Sequence, residues 1–445
     1  MDINPIRTDK EKCVGCHKCI FSCPTDANIE NINFEGSVIA LKSTIRIDDK
    51  RCIQCGDCIE ICHHDARYYV DETDQFFNDL KSKKYKMAVI TAPAFLYNFK
   101  DYKRIVGWLK HLGVEIIQDV SLGADITTYL YLKMLNSPVK TYISQPCPVV
   151  VNYIEMNAPH LIPSLAPVQS PIMCLAIWMK KYENFRGKIA LISPCIAKEV
   201  EINDKNNNEY IGYNITVAKL KDYITKNNIN LEQFPEAEFD NTKPNLGYNY
   251  SRPGGLREQV EYYSSGEVWV KQIEGVENFT KYFAEYNERI KDKKLVPHLI
   301  DVLNCARGCN HGTGTNHDIS TDEIDFTVNM RKKVFIKQNE NHKPCDNPLH
   351  KMFSEKLNLE DFVRKYTPRP IREIDRTTPE YQAKIEEIFV QLGKLTEEQK
   401  NHDCNACCRK SCHRFAEAVV DGVAMVSSCF FYSQKLLKDM MSYHY

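Results

Sequence analysis

A chain of 445 residues, 43% of them apolar, is long enough for several domains and can bury a full core. Its 58 basic and 59 acidic residues balance to a net charge of −1, which excludes nucleic acid or an anionic membrane surface as an evident partner. The opening MDINPIRTDK has no apolar leader and no twin-arginine signal, and no run reaches the roughly 18 apolar residues of a membrane span; AVVDGVAMVSS is broken by Asp421. The expected location is cytoplasmic, where nineteen cysteines argue for metal ligation over disulfides.

Sixteen of the nineteen cysteines fall into four sets. The first two form an internal repeat. Cys13, Cys16, Cys19 and Cys23, followed by Pro24, recur 39 residues later as Cys52, Cys55, Cys58 and Cys62, followed by His63. In CxxCxxCxxxC runs, three close thiolates reach three corners of one cubane and the fourth cysteine serves the other cluster. Cys13, Cys16, Cys19 and Cys62 are thus expected on one [4Fe–4S] cluster, and Cys52, Cys55, Cys58 and Cys23 on a second. Zinc fits less well, because it favours two separated ligand pairs. Residues 1–83 read as an α+β electron-transfer domain and resemble bacterial two-cluster ferredoxins.

From residue 84 the pattern becomes α/β. YKMAVITAP, VEIIQDVS, VKTYIS, KIALIS and LIDVLN read as short buried strands, with helical stretches DYKRIVGWLKHL, ADITTYLYLKML and PIMCLAIWMKKY between them. The alternation predicts a mainly parallel, helix-covered sheet over a domain spanning 84–370. NDKNNNEY (203–210) reads as a polar surface insertion. Residues 233–256 read as a long loop leading into a helix at Gly255–Tyr263, and 337–380 as a proline-dotted wrap or linker. Residues 371–445 read as a small helical domain around Cys404, Cys407, Cys412 and Cys429, the helix RFAEAVVDGVAMV returning the fourth cysteine. That spacing resembles a four-cysteine [4Fe–4S] domain appended to several anaerobic redox proteins. A zinc knuckle is the alternative, and Cys408 is a surplus thiol inside the motif.

The remaining set is dispersed: Cys147 in QPCP, Cys195 in SPCIAKE, and Cys305 and Cys309 in NCARGC. Three of these follow predicted strands, and open α/β sheets gather residues at the carboxyl ends of their strands. Gly308 lets the backbone turn between the last two. Four converging thiolates suit a [4Fe–4S] cluster, and a zinc or purely structural reading does not explain Lys198 or the proline-flanked cysteines.

These segments resemble the three signature motifs of [FeFe]-hydrogenases, which in the main catalytic group read TSCCP, MPCxxKxxE and MACxxGC. Here they are SQPCP (144–148), SPCIAKEVE (193–201) and LNCARGC (303–309), and the resemblance spans roughly 85–335. It implies an H-cluster: a [4Fe–4S] cluster on Cys147, Cys195, Cys305 and Cys309, bridged by Cys309 to a diiron subcluster with CO and CN⁻ ligands. Three accessory [4Fe–4S] clusters complete the cofactor set. It also implies that Lys198 hydrogen-bonds one cyanide and compensates its charge. Ala92 and Pro93, in TAPA, match the segment near the other cyanide, and Ser193 and Pro194 match the stretch beside the distal iron.

The departures concern protons. Pro146 stands where the proton-shuttling cysteine belongs and has no exchangeable proton. The usual relay glutamates fall on Tyr131 and Met134, and Ser193 and Leu303 replace methionines, while Glu201 is kept. A general acid is worth about 10²–10⁴-fold, so slow turnover is expected. Cys174 and Cys345 are unassigned thiols. Cys174, on a helix the family packs against the cofactor, is a candidate substitute in proton transfer, although buried cysteines commonly serve as small apolar groups. Pro146 and the C-terminal set resemble the divergent sensory hydrogenases of groups C and D. The end at Tyr445, without a PAS-type domain, resembles group D. The expected function is slow, reversible interconversion of H2 with protons and electrons, in catalysis or H2 sensing. The expected partners are a ferredoxin-type redox protein, maturation enzymes and, for sensing, a signalling protein. The competing function is a relative with cubanes alone, in electron transfer or iron–sulfur assembly; Lys198 and the close Cys305–Cys309 pair argue against it.

Overall fold

The structure is a computed structural model that describes residues 4–31, 44–135, 141–207, 209–340, 343–371 and 376–442. At the N-terminus, β1 (Ile6–Thr8) pairs antiparallel with β4 (Arg67–Tyr69), and β2 (Asn28–Asn31) with β3 (Thr44–Ile47). Short helices at Lys18–Ser22 and Asp57–Glu60 sit on the two cysteine runs. Ile6, Ile20, Ile45 and Ala66 pack among the cysteines, so the sequence repeat is also a repeat of strand, cysteine loop, helix and strand.

The central part holds two parallel sheets where the sequence suggested one. The first contains β5 (Met87–Thr91), β6 (Ile116–Asp119), β8 (Lys188–Ser193) and β9 (Ile211–Thr216), in the order β6–β5–β8–β9. The second contains β7 (Tyr142–Ile143), β10 (Val270–Glu274) and β11 (Leu299–Leu303), in the order β10–β11–β7. All five predicted strands are present. β9 and β10 went unread because IGYNIT and VKQIE interleave polar residues. Ala88 and Ile90 face one apolar cluster, and Met87 and Val89 face another, which is why β5 reads as an unbroken apolar run.

The helix Ser121–Leu135 explains the division into two sheets. It is buried along most of its length. Its Leu122, Ile126 and Tyr129 pack with the first sheet, whereas Tyr131 packs with Tyr142, Val270 and Leu299 of the second. A helix apolar on all sides must lie between layers. Gly123 allows the close crossing with the helix Pro171–Ile177, since a Cβ there would lie 2.1 Å from the Pro171 carbonyl oxygen.

Part of the expected linker is structural. Val363 bridges to Val168, the Tyr366 hydroxyl donates to the Ala166 carbonyl at 2.5 Å, and Arg369 pairs with Glu155 at 2.8 Å. The 203–210 insertion is not merely surface either: Asn207 is buried and donates to the Glu201 carbonyl at 2.7 Å. In the C-terminal part, helices Pro379–Gln391 and Cys412–Val420 pack through Ile385, Phe389 and Phe415. The second helix stops before the predicted VAMV stretch because Gly422 turns the chain at φ 70°. The Cys345 side chain lies outside the described residues. Among the described residues, no helix is long and apolar enough to cross a membrane.

Candidate metal centre

The carboxyl ends of both sheets open onto one chamber. The turns after β7, β8 and β11 deliver Cys147, Cys195 and Cys305, and Cys309 follows on the same loop. Gly308 has φ 76°, and a Cβ there would lie 2.6 Å from Pro253, so only glycine makes this turn. Ala92, Pro93, Ser193, Pro194, Lys198 and Pro146 line the same chamber. Burial raises the Cys147 thiol, and it pushes Cys195 up to about 11 and Cys309 up to about 12; neighbouring thiols add to the last two shifts. Four thiols facing an apolar chamber resist ionisation until a positive centre shares their charge, and a metal–sulfide core is such a centre. The donor set therefore fits a cluster.

Lys198 reaches into the chamber from the start of the helix Lys198–Ile202. Its Nζ donates to the Pro146 carbonyl at 2.9 Å and to Glu201 Oε2 at 2.6 Å. The other carboxylate oxygen, Glu201 Oε1, lies 3.3 Å from Arg364 Nη1. Burial opposes ionisation of Glu201, but the two cations outweigh it and hold the carboxyl below its ordinary value. Arg364 escaped the sequence reading because it lies in an apparent linker. Asp301 escaped it too, although an aspartate inside the apolar LIDVL was a legible signal. It lines the chamber, accepts from the Arg257 backbone N–H at 3.1 Å, and is pushed by burial up to about 7.

The candidate proton residues lie further back. Cys174 is fully buried and does not line the chamber. Its thiol donates to the Gln169 carbonyl at 3.3 Å, accepts from Thr127 Oγ1 at 3.3 Å, and is pushed by burial up to about 12. Tyr131, at a relay-glutamate position, donates to Gln145, whose amide donates to the same Gln169 carbonyl at 3.2 Å. Ser193 donates to Asn214 Oδ1 at 2.6 Å, so its hydroxyl is committed.

Among the other sets, Cys23, Cys52, Cys55 and Cys58 line one small cavity, the crossed arrangement expected from the spacing. Cys13 and Cys19 share an apolar cluster with Cys62 at its edge, and Cys16 is near enough to bear on the Cys19 thiol, which burial raises first. Cys404, Cys407, Cys412 and Cys429 line a third cavity, whereas Cys408 lines a separate polar cleft. Among the described residues, no three His, Cys, Asp or Glu side chains are grouped to hold a single metal ion; a cubane keeps its thiolates further apart than one ion does.

Residues 85–313 match the C-terminal domain of the iron only hydrogenase large subunit, and residues 5–63 match the 4Fe-4S dicluster domain. The periplasmic [Fe] hydrogenase large subunit of Nitratidesulfovibrio vulgaris is 26% identical over 372 residues, covering 69% of this chain and 86% of the relative. Two solved structures share the fold at 16% identity, each covering 68% of this chain and 100% of its own. One is an [FeFe]-hydrogenase whose oxygen inactivation begins at the 2Fe subcluster of its H cluster, with a TM-score of 0.51. The other is a glutamate-to-glutamine variant of the Chlamydomonas reinhardtii [FeFe]-hydrogenase, with a TM-score of 0.50. The chain, matched over more than half its length and carrying a ferredoxin-like dicluster domain ahead of that match, belongs to the iron-only hydrogenase large-subunit family.

Proposed function

We propose that the protein is a slow [FeFe]-hydrogenase that interconverts H2 with two protons and two electrons in the central chamber. The support is the convergence of Cys147, Cys195, Cys305, Cys309 and Lys198 on one buried chamber. The four cysteines hold an H-cluster, and the other three quartets hold accessory [4Fe–4S] clusters. When bound, the H-cluster supplies the redox-active iron at which the H–H bond is made or broken.

The protein's own residues orient and exclude. Lys198 would present an ammonium to the anionic ligands of the group, its direction fixed by Glu201 with Arg364. Ala92, Pro93, Ser193 and Pro194 close the wall. Asp301 holds a proton at the chamber near neutral pH, whereas Pro146 can hold none. The poor proton supply makes turnover slow and suits H2 sensing of the group D kind, with a signalling partner in addition to a redox protein. Maturation enzymes supply the diiron part. The proposed location is the cytoplasm, whereas the similar hydrogenase of Nitratidesulfovibrio vulgaris is periplasmic.

Infrared spectroscopy after assembly with the diiron cofactor tests the reading. CO and CN⁻ bands that shift under H2 are expected. Four intact cubanes with no such bands would instead point to the cubane-only relative.

A further inference from the structure

The C-terminal quartet packs against the first N-terminal quartet through one buried carboxylate. Glu30, on β2, is 5% exposed. Its Oε2 accepts from the Ser428 hydroxyl at 2.5 Å, and Ser428 precedes Cys429. Its Oε1 lies 3.6 Å from His17 Nε2, and His17 follows Cys16. The His17 ring also faces the Cys407 carbonyl. Next to Glu30, Ile29 packs in one apolar cluster with Cys407, Cys412 and Cys429. The cysteine loops of two separate domains are thus joined by a three-residue bridge whose central carboxylate is buried.

The opposite end of the N-terminal domain meets the chamber. Cys55 lines it, and the Cys55 carbonyl accepts from Asn304 Nδ2, one residue before Cys305, at 3.3 Å. Between the two ends, the quartets interlock, since Cys23 of the first run lines the cavity of the second.

We propose that the four quartets form one unbranched relay, in the order C-terminal, first N-terminal, second N-terminal, central, with the C-terminal unit as the electron port. With cubanes held by these quartets, each step would be a one-electron hop, the electron supplied at the port by a reduced ferredoxin-type protein; no bond or proton would move. The polar cleft beside this port carries charges of both signs: Arg51, Lys410 and Arg414 share it with Asp26, Glu417 and Asp421. This order goes beyond the hydrogenase reading and does not need the diiron group.

The test uses full-length protein assembled with iron and sulfide alone. Stepwise reduction is followed by electron paramagnetic resonance. The C-terminal signal is expected to broaden and relax faster once the first N-terminal cubane is reduced, and to be unaffected by the second cubane alone. A C-terminal signal that saturates as an isolated cluster throughout overturns the order. Glu30→Gln removes the bridge charge while keeping its shape. The reduction midpoints of the C-terminal and first N-terminal cubanes are both expected to rise, with the second unchanged; a shift in one alone, or in neither, defeats the bridge. Because no diiron part is present, these outcomes are independent of whether H2 chemistry occurs.

Discussion

Arg364 and Lys198 grip opposite oxygens of one carboxylate: Arg364 lies 3.3 Å from Glu201 Oε1, and Lys198 lies 2.6 Å from Glu201 Oε2. The arginine comes from a strap more than 160 residues further along the chain. Removing one member of a buried ion group costs several kcal/mol, because the partner charge is left uncompensated. Arg364→Met is expected to destabilise the protein by about 3 kcal/mol in anaerobic chemical unfolding. It should also shift the cyanide bands of the loaded protein, because Lys198 loses its support. Unchanged unfolding together with unchanged bands would show that Lys198 needs no such help.

Pro146 predicts a gain of function. It lines the chamber, and its carbonyl, which accepts from Lys198, is retained by any residue. Pro146→Cys places an exchangeable proton at the wall, so H2 evolution should rise, by up to about 10²-fold at the low end of general-acid effects. Equal rates in both proteins would mean that protons already arrive by another path.

Asp301 predicts a pH dependence. Its folded value is raised from 3.8 to about 7, so the native protein keeps a proton that the unfolded chain gives up. The penalty therefore grows as pH rises from about 4 to 7 and is constant above. At about 1.36 kcal/mol per unit, Asp301→Asn should gain up to ~4 kcal/mol over the parent across that range. Unfolding midpoints of the cubane-loaded proteins from pH 5 to 8 measure it. Parallel curves for the two proteins would contradict a buried, protonated Asp301. Glu201 has the opposite sign: its value is lowered, so its contribution is present above about 4.5 and is lost as pH falls through the lower folded value.

Cys174 and Cys408 are the thiols that sort wiring from packing. Cys408→Ala should leave the iron content unchanged, whereas Cys404→Ala should lose one cubane equivalent, because Cys404 lines the C-terminal cavity and Cys408 does not. Cys174→Ala is expected to keep H2 turnover, since its thiol is bonded to the Gln169 carbonyl away from the chamber. A fall in turnover with the fold intact would restore it as a proton carrier.

Local spacing and strand-scale apolar runs were enough to read the cysteine repeat, five strands and the residues just past them. A CxxCxxC run fixes which thiols reach one cluster within a few residues of backbone, and a buried parallel strand has to be apolar throughout. Lys198 and Pro146 stood out only through the resemblance to the hydrogenase motifs, which implies a cofactor contact for the first and a lost proton donor at the second. Tertiary structure alone decided the rest. Helix Ser121–Leu135 splits the sheet because both its faces are apolar, which a single amphipathic pattern does not reveal. Arg364 meets Glu201 because a strap folds back across the domain, and Glu30 meets Ser428 across nearly 400 residues of chain. Such pairs have no periodicity to read: they form because a buried charge must find a partner, and only the packed fold determines which partner lies within reach.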